Sequence, residues 1–167
     1  MACRLPVYMV AMKFSFRQDT DLPADQLFDM SSDFPRIERM LARKGAEVRR
    51  IDPAVEPGAG MAWDAAFDLR GKRREMRLSV AQFDRPEKIV ILGEAESLAL
   101  TVEMTVIVLT RSKSRVIFEL EARPQTIRAR LMLQTAKLGK AQLDLLLVHG
   151  RRVSTAVGVY DEQVHGI

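Results

Sequence analysis

The side chains able to do chemistry are few and scattered. His149 falls inside a predicted helix, but no Cys, His or carboxylate stands at ligand spacing from it, so it forms no metal site. His165 lies in the polar tail. Asp64, Asp68, Glu94 and Glu103 are the carboxylates to weigh for proton transfer. General acid–base work needs two converging groups with separated pKa values. Strand alternation turns Asp64, Asp68 and Glu103 outward and leaves the register of Glu94 open. Gly-x-Ser-x-Gly, a phosphate-cradling glycine loop and a metal cluster are all missing from the chain. No catalytic residue, metal or cofactor is therefore assigned. The sharpest surface feature is a basic hairpin, Arg70, Lys72, Arg73 and Arg74 around Gly71. Such a cluster suits acidic lipid heads or RNA, or is simply a solvated turn. No exposed aromatic ladder accompanies it, which disfavours nucleic acid.

These residues depend on elements that the periodicity outlines. Met12 to Arg17 alternates, with Phe14 and Phe16 on one face, and reads as a first strand. Pro23-Ala24-Asp25 opens a helix carrying Leu27, Phe28 and Met30. Ser31-Ser32-Asp33 ends it and caps a second, 34–44, with Ile37, Met40 and Leu41 inward and Gly45 at its exit. The period then changes to two. Strands are predicted over 46–51, 61–69, 75–83, 88–95, 98–110 and 115–123, joined by turns at 52–60, Gly71, 84–87, 96–97 and 111–114. Trp63 and Phe67, Met76 and Leu78, Leu100 to Val108, and Val116, Phe118 and Leu120 share the inward face. One wet and one dry face per strand means an antiparallel sheet. Pro124 then opens a long helix over about 125–157, with one stripe of Met132, Ala136, Gly139, Leu143 and Leu146 and a second of Ile127, Leu131, Leu138 and Leu145.

A chain of 167 residues, 47% hydrophobic and 29% charged, reads as one globular domain. No apolar run approaches the roughly 20 residues of a membrane-spanning helix. A lone cysteine, Cys3, excludes an internal disulfide and fits the cytoplasm. The expected division is an N-terminal extension, 1–11, one domain over 12–158, and a polar tail, 159–167.

The element order, with Leu-Pro-Ala-Asp-Gln-Leu-Phe-Asp-Met at 22–30 and Asp-Phe-Pro-Arg-Ile at 33–37, resembles the START/Bet v 1-like superfamily. More narrowly it is similar to bacterial SRPBCC proteins of the polyketide cyclase/dehydrase and lipid transport type. The resemblance covers about 12–158. It implies an α+β helix-grip fold: a curved antiparallel sheet of six to seven strands wrapped around the long C-terminal helix, with two short helices after strand 1. It also implies an apolar cavity between sheet and helix, and it carries over no functional residue.

The residues expected to line that cavity are Trp63, Phe67, Met76, Leu78, Leu100, Met104, Phe118 and Leu120 from the sheet, and Leu131, Thr135 and Gly139 from the helix. Each also reads as plain core. Nine methionines add an adaptable lining. Three functions stay open. The first is binding of a small hydrophobic molecule, lipid, isoprenoid or polyketide-like. The second is a cyclase- or aromatase-type enzyme using the same cavity. The third is an interaction protein that meets a macromolecule or membrane surface through Arg70, Lys72, Arg73 and Arg74.

Overall fold

A computed structural model describes residues 11–53, 55–69 and 71–136. Ten elements follow one another: β1 (Met12–Thr20), α1 (Ala24–Ser31), α2 (Phe34–Arg43), β2 (Glu47–Arg50), β3 (Ala62–Leu69), β4 (Lys72–Asp84), β5 (Lys88–Ala95), β6 (Leu98–Thr110), β7 (Lys113–Pro124) and α3 (Ile127–Ala136). The strands form one seven-stranded antiparallel sheet in the order β1-β7-β6-β5-β4-β3-β2. Consecutive strands from β2 to β7 are neighbours, and β1 closes the sequence by lying against β7.

Local chemistry explains the two short helices. α1 ends where the Ser32 N–H and hydroxyl both donate to the Phe28 carbonyl at 2.8 Å, which competes with a further helical turn. The next residue, Asp33, caps α2 by accepting from the Arg36 N–H at 3.0 Å, with Pro35 in the first turn. Gly45, at φ +86°, leaves α2 in the left-handed region that a side chain would disfavour.

Several boundaries differ from the sequence reading. β1 continues through Thr20, three residues past its expected end, because it stays paired with β7 as far as Ser114. Lys72, Arg73 and Arg74 belong to β4, because Lys72 already pairs with Leu69 and the turn between them is minimal. Ser114 is likewise paired in β7, where its buried hydroxyl donates to the Leu22 carbonyl at 2.6 Å. Pro124 is the last residue of β7 and not the first of the helix. The helix starts three residues later, at Ile127, and the preceding Thr126 hydroxyl accepts from the Ala129 N–H at 3.1 Å. The helix expected to reach residue 157 is described only as far as Ala136, and its continuation, residues 1–10 of the expected N-terminal extension 1–11, the tail and both histidines lie outside the described residues.

The core sits under α1 and α2. Phe28 is 0% exposed and meets the Phe83 ring edge-on at 5.3 Å and 76°, and Phe34 lies 5.2 Å from Trp63. Met61, Val80, Ile89, Met104, Val106 and Val116 complete it. Val108, placed inward by strict alternation, is 64% exposed. There β6 has run past the start of β5, whose pairing ends at Lys88↔Thr105, and its register with β7 slips between Val108 and Thr110.

Asp52 fastens β2 to β3. Its side chain is 7% exposed and accepts from Arg50 Nε at 2.9 Å, Arg50 Nη2 at 3.1 Å and the Ala62 N–H at 2.9 Å. Asp52→Ala removes both acceptors of the two-pronged Arg50 pair and the acceptor of the Ala62 N–H together. The expected loss is about 2–3 kcal/mol by urea denaturation; a loss within 0.5 kcal/mol, the range of an ordinary surface substitution, refutes this role.

The outer face is held differently, by exposed ion pairs. Hydrogen bonds from Arg115, Arg73, Arg77 and Arg123 hold Asp19, Glu47, Asp64 and Glu121 below the ordinary carboxylate range. A carboxylate whose folded pKa lies below its unfolded value stabilises the fold above that unfolded value and ceases to as pH falls through the folded one. The melting temperature is expected to hold from neutral pH down to about 5 and to decline below about 4. Added salt should shrink the decline, because these pairs face solvent. An acid limb insensitive to salt assigns the decline to other groups.

Candidate functional site

The inner face of the sheet is built from rows that cross the strands. The pairings place Trp63, Leu78, Gly93, Leu100, Ala122 and Met12 in one row. On the side toward α1 and α2 runs a bulky row of Phe83, Ile89, Met104, Phe118 and Phe16. On the opposite side the side chains shrink, with Ala65 beside Met76 and Ala95 beside Leu98. The inner face therefore has a filled half under the two helices and a half with less bulk toward the β3–β4 hairpin.

The residues expected to line a cavity divide between these halves. Trp63 and Met104 are fully enclosed members of the core, and Phe118 packs against it. The Trp63 indole N–H donates to Glu38 Oε1 at 2.6 Å, so a carboxylate from α2 fixes the ring. Phe67 and Leu100 are half-buried and Met76 is buried, from the Gly93 row toward the hairpin end. Leu78, in the Gly93 row, is half-buried and also packs against the core. Leu120 lies in the row of Phe14, Val102, Ile91 and Val80, on the α1/α2 side of Gly93. Leu131 does not join them: it is 59% exposed and Ile127 79%, while Ala129 is buried. At its first turn α3 thus turns Ala129, not the predicted 127/131 stripe, toward the protein. The Thr135 side chain and Gly139 lie outside the described residues.

Gly93 is the residue the alternation argument passed over. A Cβ built on it would stand 2.9 Å from Met76 Sδ, 3.0 Å from Leu100 Cβ and 3.1 Å from Leu78 Cδ2. Three expected lining residues converge on this one point because it has no side chain. A glycine inside an apolar strand was the available signal. Glu94, its neighbour, is exposed on the outer face across from Arg77, which settles its register.

The basic hairpin is not one surface. Arg73 points outward and makes a two-pronged pair with Glu47 at 2.6 and 3.1 Å. Arg74 points the other way, in register with Phe67 on the inner face. Its Nε is buried and has no hydrogen-bond partner. Lys72 is exposed, and Arg70 lies outside the described residues.

No family model matches the chain, and no curated protein matches it in sequence. Solved structures match it in shape. The Zhui aromatase/cyclase from Streptomyces sp. R1128 superposes with a TM-score of 0.61 at 16% identity, over 90% of this chain and 100% of that one. A truncated norcoclaurine synthase from Thalictrum flavum gives 0.60 at 12%, over 89% and 96%. The Mll3558 protein from Rhizobium loti gives 0.57 at 15%, over 83% and 93%. Among the described residues no helix is long and apolar enough to cross a membrane. The strand order, the paired short helices after β1 and these superpositions give the chain a Bet v 1-like fold.

Proposed function

We propose that the chain binds a small hydrophobic molecule against the less bulky half of the inner face, around Gly93. The observation that carries this reading is the contrast between the two halves. Aromatic rings fill the space under α1 and α2, whereas Phe67, Leu78 and Leu100 present half-buried apolar surface from the Gly93 row toward the hairpin end. Apolar groups in that setting gain about 25 cal/mol per Å² when a ligand excludes water from them, before the cost of association. The neighbours in shape support a ligand-binding use of the fold. One is an aromatase/cyclase, and norcoclaurine synthase has been seen with dopamine and hydroxybenzaldehyde.

Those neighbours are named as enzymes, so a cyclase-type reaction is the second reading. It needs a group that exchanges protons beside the ligand. Among the described residues the half-buried charged side chain in this half is Arg74, and a guanidinium offers hydrogen-bond donors and no acceptor, so it binds an anion and does not take up a proton from a ligand. That favours binding over catalysis.

The test is native mass spectrometry followed by organic extraction, paired with titration of the single tryptophan, Trp63, in the row that contains Gly93. A retained apolar adduct and a saturable change in Trp63 emission are expected. A clean mass with no emission change across lipids, quinones and aromatic polyketides refutes the reading.

A further inference from the structure

We propose that the ligand is an apolar acid, and that Arg74 receives its carboxylate inside the inner face. The proposal rests on the hydrophobic-ligand reading above and narrows it to a chemical class. Five arginines on the outer face and its rim end on carboxylates: Arg73 on Glu47, Arg77 on Asp64, Arg85 on Asp29, Arg115 on Asp19 and Arg123 on Glu121. Arg74 departs from this pattern. The alternation that sends Arg73 out to Glu47 and Asp68 sends Arg74 in, beside Phe67 and two residues from the buried Met76. Its Nε is shut off from water without a hydrogen-bond acceptor, the one such buried side-chain atom among the described residues.

A desolvated N–H with nothing to donate to is costly, and it is more costly on a cation. No acidic residue shares the inner-face row of Phe67 and Arg74. A ligand that brings its own acceptor offsets the cost. The Nε–Nη edge of a guanidinium offers two parallel donors, which match the two oxygens of a carboxylate. The apolar part of such a ligand would then extend over Met76, Leu78 and Leu100 toward Gly93. The hairpin end supplies the charge and the middle of the sheet supplies the greasy surface.

The test compares dodecanoic acid, dodecanol and dodecyl phosphate at pH 8, read by Trp63 emission and by calorimetry on the full chain. The acid is expected to bind about tenfold or more tightly than the alcohol. In Arg74→Met the alcohol should bind as before and the preference for the acid should vanish. Equal binding of acid and alcohol by the unaltered protein overturns the Arg74 proposal while leaving the hydrophobic site standing. A preference that survives in Arg74→Met, or in Arg74→Gln where the methionine variant does not fold, overturns it too. Tighter binding of the phosphate than of the acid refutes the assignment to carboxylates. Failure of all three probes to bind refutes the underlying reading instead.

Discussion

Phe28→Ala is expected to cost about 3–5 kcal/mol, the range for removing a fully enclosed aromatic ring. Phe28 is the keystone of the filled half: no part of it reaches solvent, and it seats α1 on the sheet through Phe83. Phe34, 6.2 Å from the same Phe83 ring, ties α2 into the cluster. Truncation leaves a void bounded by strands on one side and two helices on the other. The strands cannot move inward without breaking their ladder, so collapse is limited and the cost should sit toward the upper end. Urea denaturation should show a lower midpoint at unchanged slope. A loss below about 1 kcal/mol, less than a buried methyl group or two would cost, shows that the site closes over the gap and that the core is looser than its burial indicates.

Gly93→Val has a smaller cost in stability and a larger one in binding. The new Cβ meets Met76 Sδ, which can swing aside, but it also meets Leu100 Cβ, which is fixed to the backbone of β6. Overpacking of this kind costs about 1–3 kcal/mol. The side chains the added methyls displace, Met76 and Leu78, are pushed into the space where the proposed ligand would rest, so the Trp63 titration should lose its saturable phase in a variant that still melts cooperatively. Combining it with Met76→Ala provides a control. Because the two sites touch, the pair should be less harmful than the sum of its parts, by about 0.5–3 kcal/mol in a double-mutant cycle. Strict additivity contradicts the contact, and unchanged ligand titration in Gly93→Val contradicts the placement of the site.

Much of this architecture was readable from residue patterns. Period-two alternation located all seven strands, and Asp33 followed by Pro35 marked the start of α2. The chain was less readable where a boundary depends on pairing. Alternation continues through Val108, yet burial stops when the neighbouring strand ends. The basic run at 72–74 looked like one patch because charge is counted along the chain, whereas β structure deals alternate residues to opposite faces. Arg74 thus passed for a surface charge when its sequence number already put it on the side of Met76 and Leu78. The expected cavity list mixed two populations for a similar reason. Trp63 and Met104 share the inward face with Leu78 and Leu100, and only the seating of α1 and α2 decides which of them are covered. Ile127 and Leu131 were grouped by helical spacing, but Ala129 is the residue that α3 buries in its first turn.

The pairing of β1 with β7 alone also sets a timetable. Met12 finds its partner at Ala122 and Thr20 finds its own at Ser114, so the first strand to leave a ribosome waits for the last. At about 5–20 residues per second that wait is on the order of 5–20 s. Throughout it, Phe14 and Phe16 have no sheet to join, while the hairpins from β3 to β7 assemble through contacts between neighbours in the chain. The closing of the sheet by its oldest strand is therefore the slow, long-range step of folding. A nascent chain stalled before residue 113 should leave β1 open to protease while the β3–β6 meander is already protected.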